Sequence, residues 1–137
     1  MTTSAVDNSS PMLAPKSSFI KLHIEVGGTK PGSRASGIPG CKCVDVRALP
    51  NPFAQLNKGT LENDMHSITS WISARQQTKF DHFVNEVLQQ LLKQRSVRVQ
   101  CKGGKHRSAA VANAALDKYN SNRTDGMSPA KIIMLDA

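Results

Sequence analysis

The sequence predicts a three-layer α/β domain with a mostly parallel sheet flanked by helices. Segments in which apolar and polar residues alternate, as in strands, are separated by segments with apolar residues at helical spacing. The 137-residue chain is long enough for one hydrophobic core but not for two. Hydrophobic residues make up 39% of the chain, which is typical of a globular protein.

The N-terminal part of the chain predicts a tail, a strand and a long loop. Residues 1–16 are rich in Thr, Ser, Asn, Pro and Ala, so we expect a disordered tail before one domain over residues 17–137. Alternating apolar residues predict the first strand over Phe19–Val26. The glycines and prolines of Gly27–Gly40 predict a loop, and loops of this length are usually functional or disordered.

A second strand and two helices are predicted next. The strand is predicted over Cys41–Ala48, and the two prolines of Leu49–Phe53 stop further pairing. The apolar face of the first helix consists of Leu61, Met65, Ile68 and Ile72, with Trp71 beside it. The apolar face of the second helix consists of Phe83, Val87, Leu88, Leu91 and Leu92. Thr78 and Asp81 resemble a capping pair for the second helix.

The last third of the chain predicts a strand, a loop, a helix and a final strand. Val97 and Val99 alternate with polar residues and predict a strand that runs into the loop 101–108. The alanine-rich run Arg107–Tyr119 predicts a helix whose small residues pack close to the sheet. After a turn-rich stretch, a short strand is predicted over Lys131–Leu135.

The net charge of +8 favours anionic partners, such as phosphorylated metabolites, nucleotides or nucleic acid. Aromatic residues are only 4% of the chain, which argues against stacking of many unpaired bases. RNA binding would therefore depend on the phosphate backbone and fall steeply with salt.

The cysteines and the hydropathy indicate a reducing compartment. Three cysteines make an odd count, and no apolar signal segment precedes them, so we expect an intracellular, cytoplasmic protein. No stretch approaches the roughly 20 apolar residues of a membrane span. Cys41 and Cys43 have a spacing that a zinc site can use, but no second pair or histidine cluster accompanies them. We therefore expect both to pack in the core, and we expect no metal and no cofactor.

The loop 101–108 is the main candidate for a functional site. It connects a buried strand to a helix, and Gly103 and Gly104 allow the chain to curl its N–H groups toward one point at the helix N-terminus. In parallel sheets, ligands gather beyond the C-terminal strand ends, where this loop and residues 48–53 should meet. The candidate ligand-binding residues are Arg47, Asn51, Gly103, Gly104, Lys105, His106, Arg107 and Ser108.

Individual roles follow from residue chemistry. Arg47 and Arg107 would give forked hydrogen bonds to phosphate oxygens. Asp45 would orient an arginine or only make strand-end hydrogen bonds, and Asn51 would bind a sugar hydroxyl or cap the turn. His106 would donate a hydrogen bond to phosphate or have a purely structural role.

Cys101, Gly104, Arg107 and Ser108 follow the spacing Cys-x-x-Gly-x-x-Arg-Ser, which resembles the phosphate loop of cysteine-dependent phosphatases. The resemblance implies a Cys101 nucleophile, an Arg107 phosphate clamp and a Ser108 that assists release of the thiol. Asp45 is then the candidate general acid. The alternative is that Cys101 is a small apolar residue that closes a buried strand.

A second resemblance covers about residues 17–137. Cys-x-Gly-Gly-Lys-His-Arg-Ser at 101–108, together with Asp-Val-Arg-x-Leu-Pro-Asn-Pro at 45–52, resembles the C-terminal domain of the RapZ family. That resemblance implies a domain that binds an amino-sugar phosphate and small regulatory RNA, assembles into oligomers and has no established hydrolytic chemistry. The family's N-terminal P-loop ATPase domain is absent from this sequence, and a separate ATPase partner is left open.

This chain departs from the family pattern at three places, which bear on the sugar ligand and on RNA binding. Phe53 stands where bacterial members often have a histidine, the usual Leu-Arg-x-x-Thr-Gly stretch is reduced to Asn57–Thr60, and the basic C-terminal extension is missing. We therefore expect a module that binds a phosphosugar or a nucleotide-like metabolite, with RNA as a second partner. A cysteine-dependent phosphatase is the alternative.

Overall fold

Four parallel strands form the sheet in this computed structural model, which describes residues 21–38, 40–124 and 126–135. The strands are β1 (Leu22–Gly28), β2 (Lys42–Asp45), β3 (Ser96–Cys101) and β4 (Ala130–Met134), in the order β2-β3-β1-β4. Val99 of β3 pairs with Val26 on one side and Val44 on the other, so the central strands carry apolar residues in register. The predicted tail, residues 1–16, lies outside the described residues.

Four helices flank this sheet in the described part of the chain, which confirms the predicted α/β class. They are α1 (Phe53–Lys58), α2 (Met65–Arg75), α3 (Gln77–Gln94) and α4 (Arg107–Asn122). Helices α2, α3 and α4 contact one another, and α3 and α4 both pack on β3. Alanines of α4, including Ala110, Ala112 and Ala115, are fully buried, so this helix lies close to the sheet, as predicted.

The opposite face of the sheet is polar and is covered by the segment 29–38. Glu25 of β1 is only 2% exposed, and its carboxylate accepts hydrogen bonds from the Gly37 N–H at 3.0 Å and the Ser36 hydroxyl. The Arg98 guanidinium of β3 donates to the carbonyl oxygens of Gly28 and Arg34, at 3.0 and 2.9 Å. The predicted long loop is therefore fastened to the sheet and acts as the third layer.

Two predicted features at the edge strand β2 are wrong. The strand ends at Asp45 rather than Ala48, because the Leu49 N–H bonds to the Val46 carbonyl and starts a turn. Cys43 is exposed and Cys41 is half-buried, whereas both were expected in the core. Because side chains alternate along a strand, Cys43 and the buried Val44 lie on opposite faces of the sheet. Cys43 lies on the face that none of the described helices covers.

The helix starts also differ from the prediction. Thr78 and Asp81 do not cap α3, because this helix begins at Gln77 and Thr78 lies within its first turn. A side-chain cap is found instead on α2, where Asp64 accepts the Ser67 N–H at 2.8 Å. The six-residue helix α1 was not predicted, since it is too short to show an apolar periodicity.

None of the helices in the described ranges has the length and apolar character needed to cross a bilayer.

Candidate phosphate-binding site

A cavity of about 450 Å³ lies where the C-terminal ends of the parallel strands meet. It brings together the two loops that the sequence predicted to meet there. Its lining residues are Lys30, Asn51, Phe53, Cys101, Lys102, Gly103, Lys105, His106 and Arg107. Six of these nine belong to the loop 101–107, so this loop forms the main wall of the cavity.

Contacts with the end of β1 and the residues after it hold this loop in place. The N–H groups of Thr29 and Lys30 donate to the Lys102 carbonyl, at 3.0 and 3.1 Å. Gly104 has φ +72°, and a Cβ there would lie 2.6 Å from backbone atoms of both Gly27 and Gly28. Only glycine fits this position without displacing the neighbouring strand end, because both the conformation and the space exclude a side chain.

The Cys101 thiol is held at the base of the loop. Its Sγ lies 3.2 Å from the Ser108 Oγ, and both residues are buried, at 3% and 0% exposure. Burial of the thiol opposes ionisation, but hydrogen bonds from the Ser108 hydroxyl and from the N–H groups of Ser108 and Gly104, with the nearby Arg107 charge, lower the pKa of Cys101. Ser108 and Gly104 therefore donate hydrogen bonds to the Cys101 sulfur, and neither residue lines the cavity.

Further donors and charges line the cavity itself. The N–H groups of Gly103, Lys105 and His106 have no acceptor in the described part of the chain. Burial, followed by the charges of Lys105 and Arg107, lowers the pKa of His106, so the imidazole is neutral near pH 7. Unused N–H donors beside several cations are the features that bind a phosphate group.

Arg107 links the two loops of the site. Its guanidinium is largely buried and donates through Nη1 to the carbonyl oxygens of Arg47 and Leu49, at 2.7 and 3.3 Å. The side chain also lines the cavity. Arg107 is therefore placed to fix the loop after β2 and to present the rest of its fork to an anion.

Arg47 and Asp45 form a pair outside the cavity lining. The Arg47 Nε donates to both Asp45 oxygens, at 3.1 and 3.0 Å, and its Nη2 lies 2.9 Å from Oδ2. Partial burial opposes ionisation of Asp45, but the hydrogen bonds and charge of Arg47 lower its pKa below the usual range. Asp45 is thus ionised at neutral pH, which disfavours a role as general acid.

Three residues that line the cavity, Lys30, Phe53 and Lys102, were not among the predicted ligand-binding residues. Lys30 lies two residues beyond the end of β1, and Phe53 belongs to the segment 48–53 that was predicted to meet the loop, so both positions were a usable signal. Asn51, which was predicted to bind a hydroxyl or to cap the turn, accepts the Phe53 N–H at 3.1 Å and also lines the cavity.

We expect Cys101 to titrate below the pH at which an ordinary cysteine does, because its hydrogen bonds favour the thiolate. Since the folded-state pKa is lowered, stability should rise with pH between the folded and unfolded pKa of this thiol, and be lost as pH falls through the folded value. Thiolate ultraviolet absorbance, measured in a Cys41→Ser/Cys43→Ser background, checks the pKa directly.

One further variant tests the cause of this shift. Ser108→Ala should move the pKa of Cys101 upward, because it removes the hydroxyl donor. A Cys101 thiolate that appears only at or above the pH of an unfolded cysteine would contradict this account of the site.

Comparison with known proteins identifies the family. The model of the RapZ C-terminal domain matches residues 34–128, which is more than half of the 137-residue chain. A search of curated proteins found no match. The matched range includes the 47–53 loop, the 101–108 loop and helix α4, which together form most of the cavity. The chain belongs to the RapZ C-terminal domain family.

Proposed function

We propose that this domain binds the phosphate group of a small metabolite, a phosphosugar or a nucleotide-like compound, in the cavity at the strand ends. The proposed contacts are the N–H groups of Gly103, Lys105 and His106 and the side chains of Lys30, Lys102 and Arg107. Arg47 would have to leave Asp45 to reach the ligand, so we assign it no essential contact.

A single observation carries the proposal. Free backbone donors, three lysines and a buried arginine line one cavity, while the residues around it supply no carboxylate to its wall. The loop is also braced by β1 and by the tight contact of Gly104 with Gly27, so its donors need little ordering when an anion binds. Membership of the RapZ C-terminal domain family agrees with a ligand-binding role.

Two double variants with equal charge change test the site. Lys30→Gln/Lys105→Gln removes two cations from the cavity, whereas Lys79→Gln/Lys93→Gln removes two exposed cations from α3. We expect the cavity variant to weaken binding of inorganic phosphate by roughly tenfold or more, and the control to change it by less than about twofold, because screening weakens distant charges. Isothermal titration calorimetry measures both.

A local readout shows where the anion sits. A phosphate dianion bound above Cys101 should raise the pKa of this thiol, because like charges oppose ionisation. The expected result is an upward shift of the Cys101 titration on adding phosphate, with no shift in the Lys30→Gln/Lys105→Gln variant. Equal loss of affinity in both double variants, or an unchanged Cys101 pKa in saturating phosphate, would contradict the proposed site.

RNA is a second anion that the same cations would attract. If the domain binds RNA through this surface, the logarithm of the affinity should fall linearly with the logarithm of the salt concentration, and Lys30→Gln/Lys105→Gln should reduce the slope. Weak binding at physiological salt with no preference among RNAs would remove this part of the proposal.

The environment of Cys101 supports a second candidate function, a cysteine-dependent phosphatase. The thiolate would attack phosphorus, the P–O bond of the ester would break, and the leaving oxygen would keep the electron pair; water would then hydrolyse the phosphocysteine and restore the thiolate. Asp45 is ionised and outside the cavity lining, and none of the lining residues is a carboxylic acid that could protonate an alkoxide, so aryl phosphates are the expected substrates.

Turnover of an aryl phosphate separates the two candidates. Activity that disappears in Cys101→Ser and persists in Cys41→Ser/Cys43→Ser would establish the phosphatase. We expect no turnover, together with phosphate affinity that changes little in Cys101→Ser, because the cavity donors remain in place.

A further inference from the structure

The lining of the cavity includes an exposed aromatic ring from outside the cationic loop. Phe53 is 60% exposed, more than Leu92 at 54% or Met134 at 40%, the other large hydrophobic residues that are exposed in the described part of the chain. Phe53 lines the cavity, whereas neither Leu92 nor Met134 does. An exposed apolar side chain within a binding cavity points to an apolar part of the ligand.

The size of the cavity also indicates a ligand with two parts. A volume of about 450 Å³ falls in the range of small-molecule sites, about 300–1,000 Å³, and is larger than a phosphate group needs. The loop 101–107 supplies donors and charge to the lining, and Asn51 and Phe53, from the segment after β2, line the same cavity. A phosphate held by the loop would leave the rest of its molecule in the cavity that the ring of Phe53 lines.

The backbone around the ring is already fixed. The Asn51 Oδ1 accepts the Phe53 N–H at 3.1 Å, and the Leu56 N–H donates to the Pro52 carbonyl at 2.9 Å. Pro52 is fully buried, which anchors the start of α1. The Asn51 amide nitrogen has no acceptor among the described residues, so it is available to a polar edge of the ligand.

We propose that Phe53 makes the site selective for phosphate esters that carry a flat aromatic ring, nucleoside 5′-monophosphates above all, by stacking against that ring. This inference rests on the proposed phosphate-binding function and chooses between its two ligand classes. A nucleobase has a π-face that stacks on an aromatic side chain, whereas a phosphosugar without a base presents hydroxyl groups to the same wall. Stacking on one aromatic residue strengthens binding by roughly 5- to 150-fold.

The experiment compares AMP, ribose 5-phosphate and inorganic phosphate by isothermal titration calorimetry on the full chain. AMP should bind the wild-type protein roughly 5-fold or more tightly than ribose 5-phosphate, since only AMP carries the base. Phe53→Ala should remove this difference and leave inorganic phosphate unchanged. Phe53→Tyr should restore the preference for AMP, and Phe53→Leu should not, because leucine is apolar but has no flat ring.

Leu92→Ala is the matched control, since it removes an exposed apolar side chain of α3 that lies away from this cavity. Equal affinity of the wild-type protein for AMP and ribose 5-phosphate would overturn the role of Phe53 while leaving phosphate binding intact. The same conclusion follows if Phe53→Ala weakens inorganic phosphate as much as AMP. Absence of binding for all three compounds would refute the proposed function and this inference together.

Discussion

Gly104→Ala is expected to lower the free energy of unfolding by about 2 to 5 kcal/mol. The left-handed conformation alone costs an alanine about 1 to 2 kcal/mol, and forcing an extra methyl group into packed structure costs about 1 to 3 kcal/mol more. At Gly104 both apply, because φ is +72° and the new Cβ would lie 2.6 Å from the Gly27 carbon and the Gly28 nitrogen. Urea unfolding followed by circular dichroism measures the change.

Two other glycines separate the contributions. Gly59 has φ +75° but open space around its Cβ direction, so Gly59→Ala should cost only about 1 to 2 kcal/mol. Gly103 has neither a positive φ nor a close neighbour, and Gly103→Ala should change stability by less than about 1 kcal/mol. If Gly104→Ala costs no more than Gly59→Ala, the loop does not press against the end of β1 as described.

Arg107→Ala is expected to lower the free energy of unfolding by about 2 to 4 kcal/mol and to abolish phosphate binding. The substitution leaves the carbonyl oxygens of Arg47 and Leu49 without their charged donor and detaches the loop after β2 from the loop before α4. Arg107→Lys should cost about half as much, because an ammonium reaches a carbonyl but cannot hold two loops with a planar fork.

Arg47→Ala is the contrasting variant. The side chain of Arg47 is 57% exposed and pairs with Asp45, so its loss should cost less than about 1 kcal/mol. The main-chain carbonyl of Arg47 that Arg107 uses is retained in this variant. A large loss of phosphate affinity in Arg47→Ala would show that this arginine leaves Asp45 for the ligand, and a stability loss equal to that of Arg107→Ala would contradict the role of Arg107 as the link between the loops.

Gly104→Ala and Arg107→Ala probe the same physical arrangement. The proposed anion site is built from three chain segments that follow β1, β2 and β3, and it depends on contacts between them rather than on any one motif. Gly104 fits the loop to the end of β1, and Arg107 ties it to the segment after β2. A disturbance at either contact should therefore reach both stability and ligand affinity.

The sequence alone determined the fold class and the two loops that meet at the cavity. Strand alternation at Val97 and Val99 and the alanine-rich run after Arg107 depend on local burial and helix propensity, which a single segment reveals. The glycine pair at the start of this helix predicted an anion loop for the same reason, since backbone conformation there is a local property. The family resemblance rested on this loop together with residues 45–52.

Only the tertiary structure decided which side chains line the cavity. Arg47 and Arg107 are the same residue type beside the same cavity. The exposed Arg47 pairs with Asp45, whereas the buried Arg107 donates hydrogen bonds to two carbonyl oxygens. The places of Lys30 and Phe53 on the cavity wall follow from the order β2-β3-β1-β4, which brings distant loops together. The direction of a long side chain depends on partners far along the chain, so a local sequence pattern does not predict that direction.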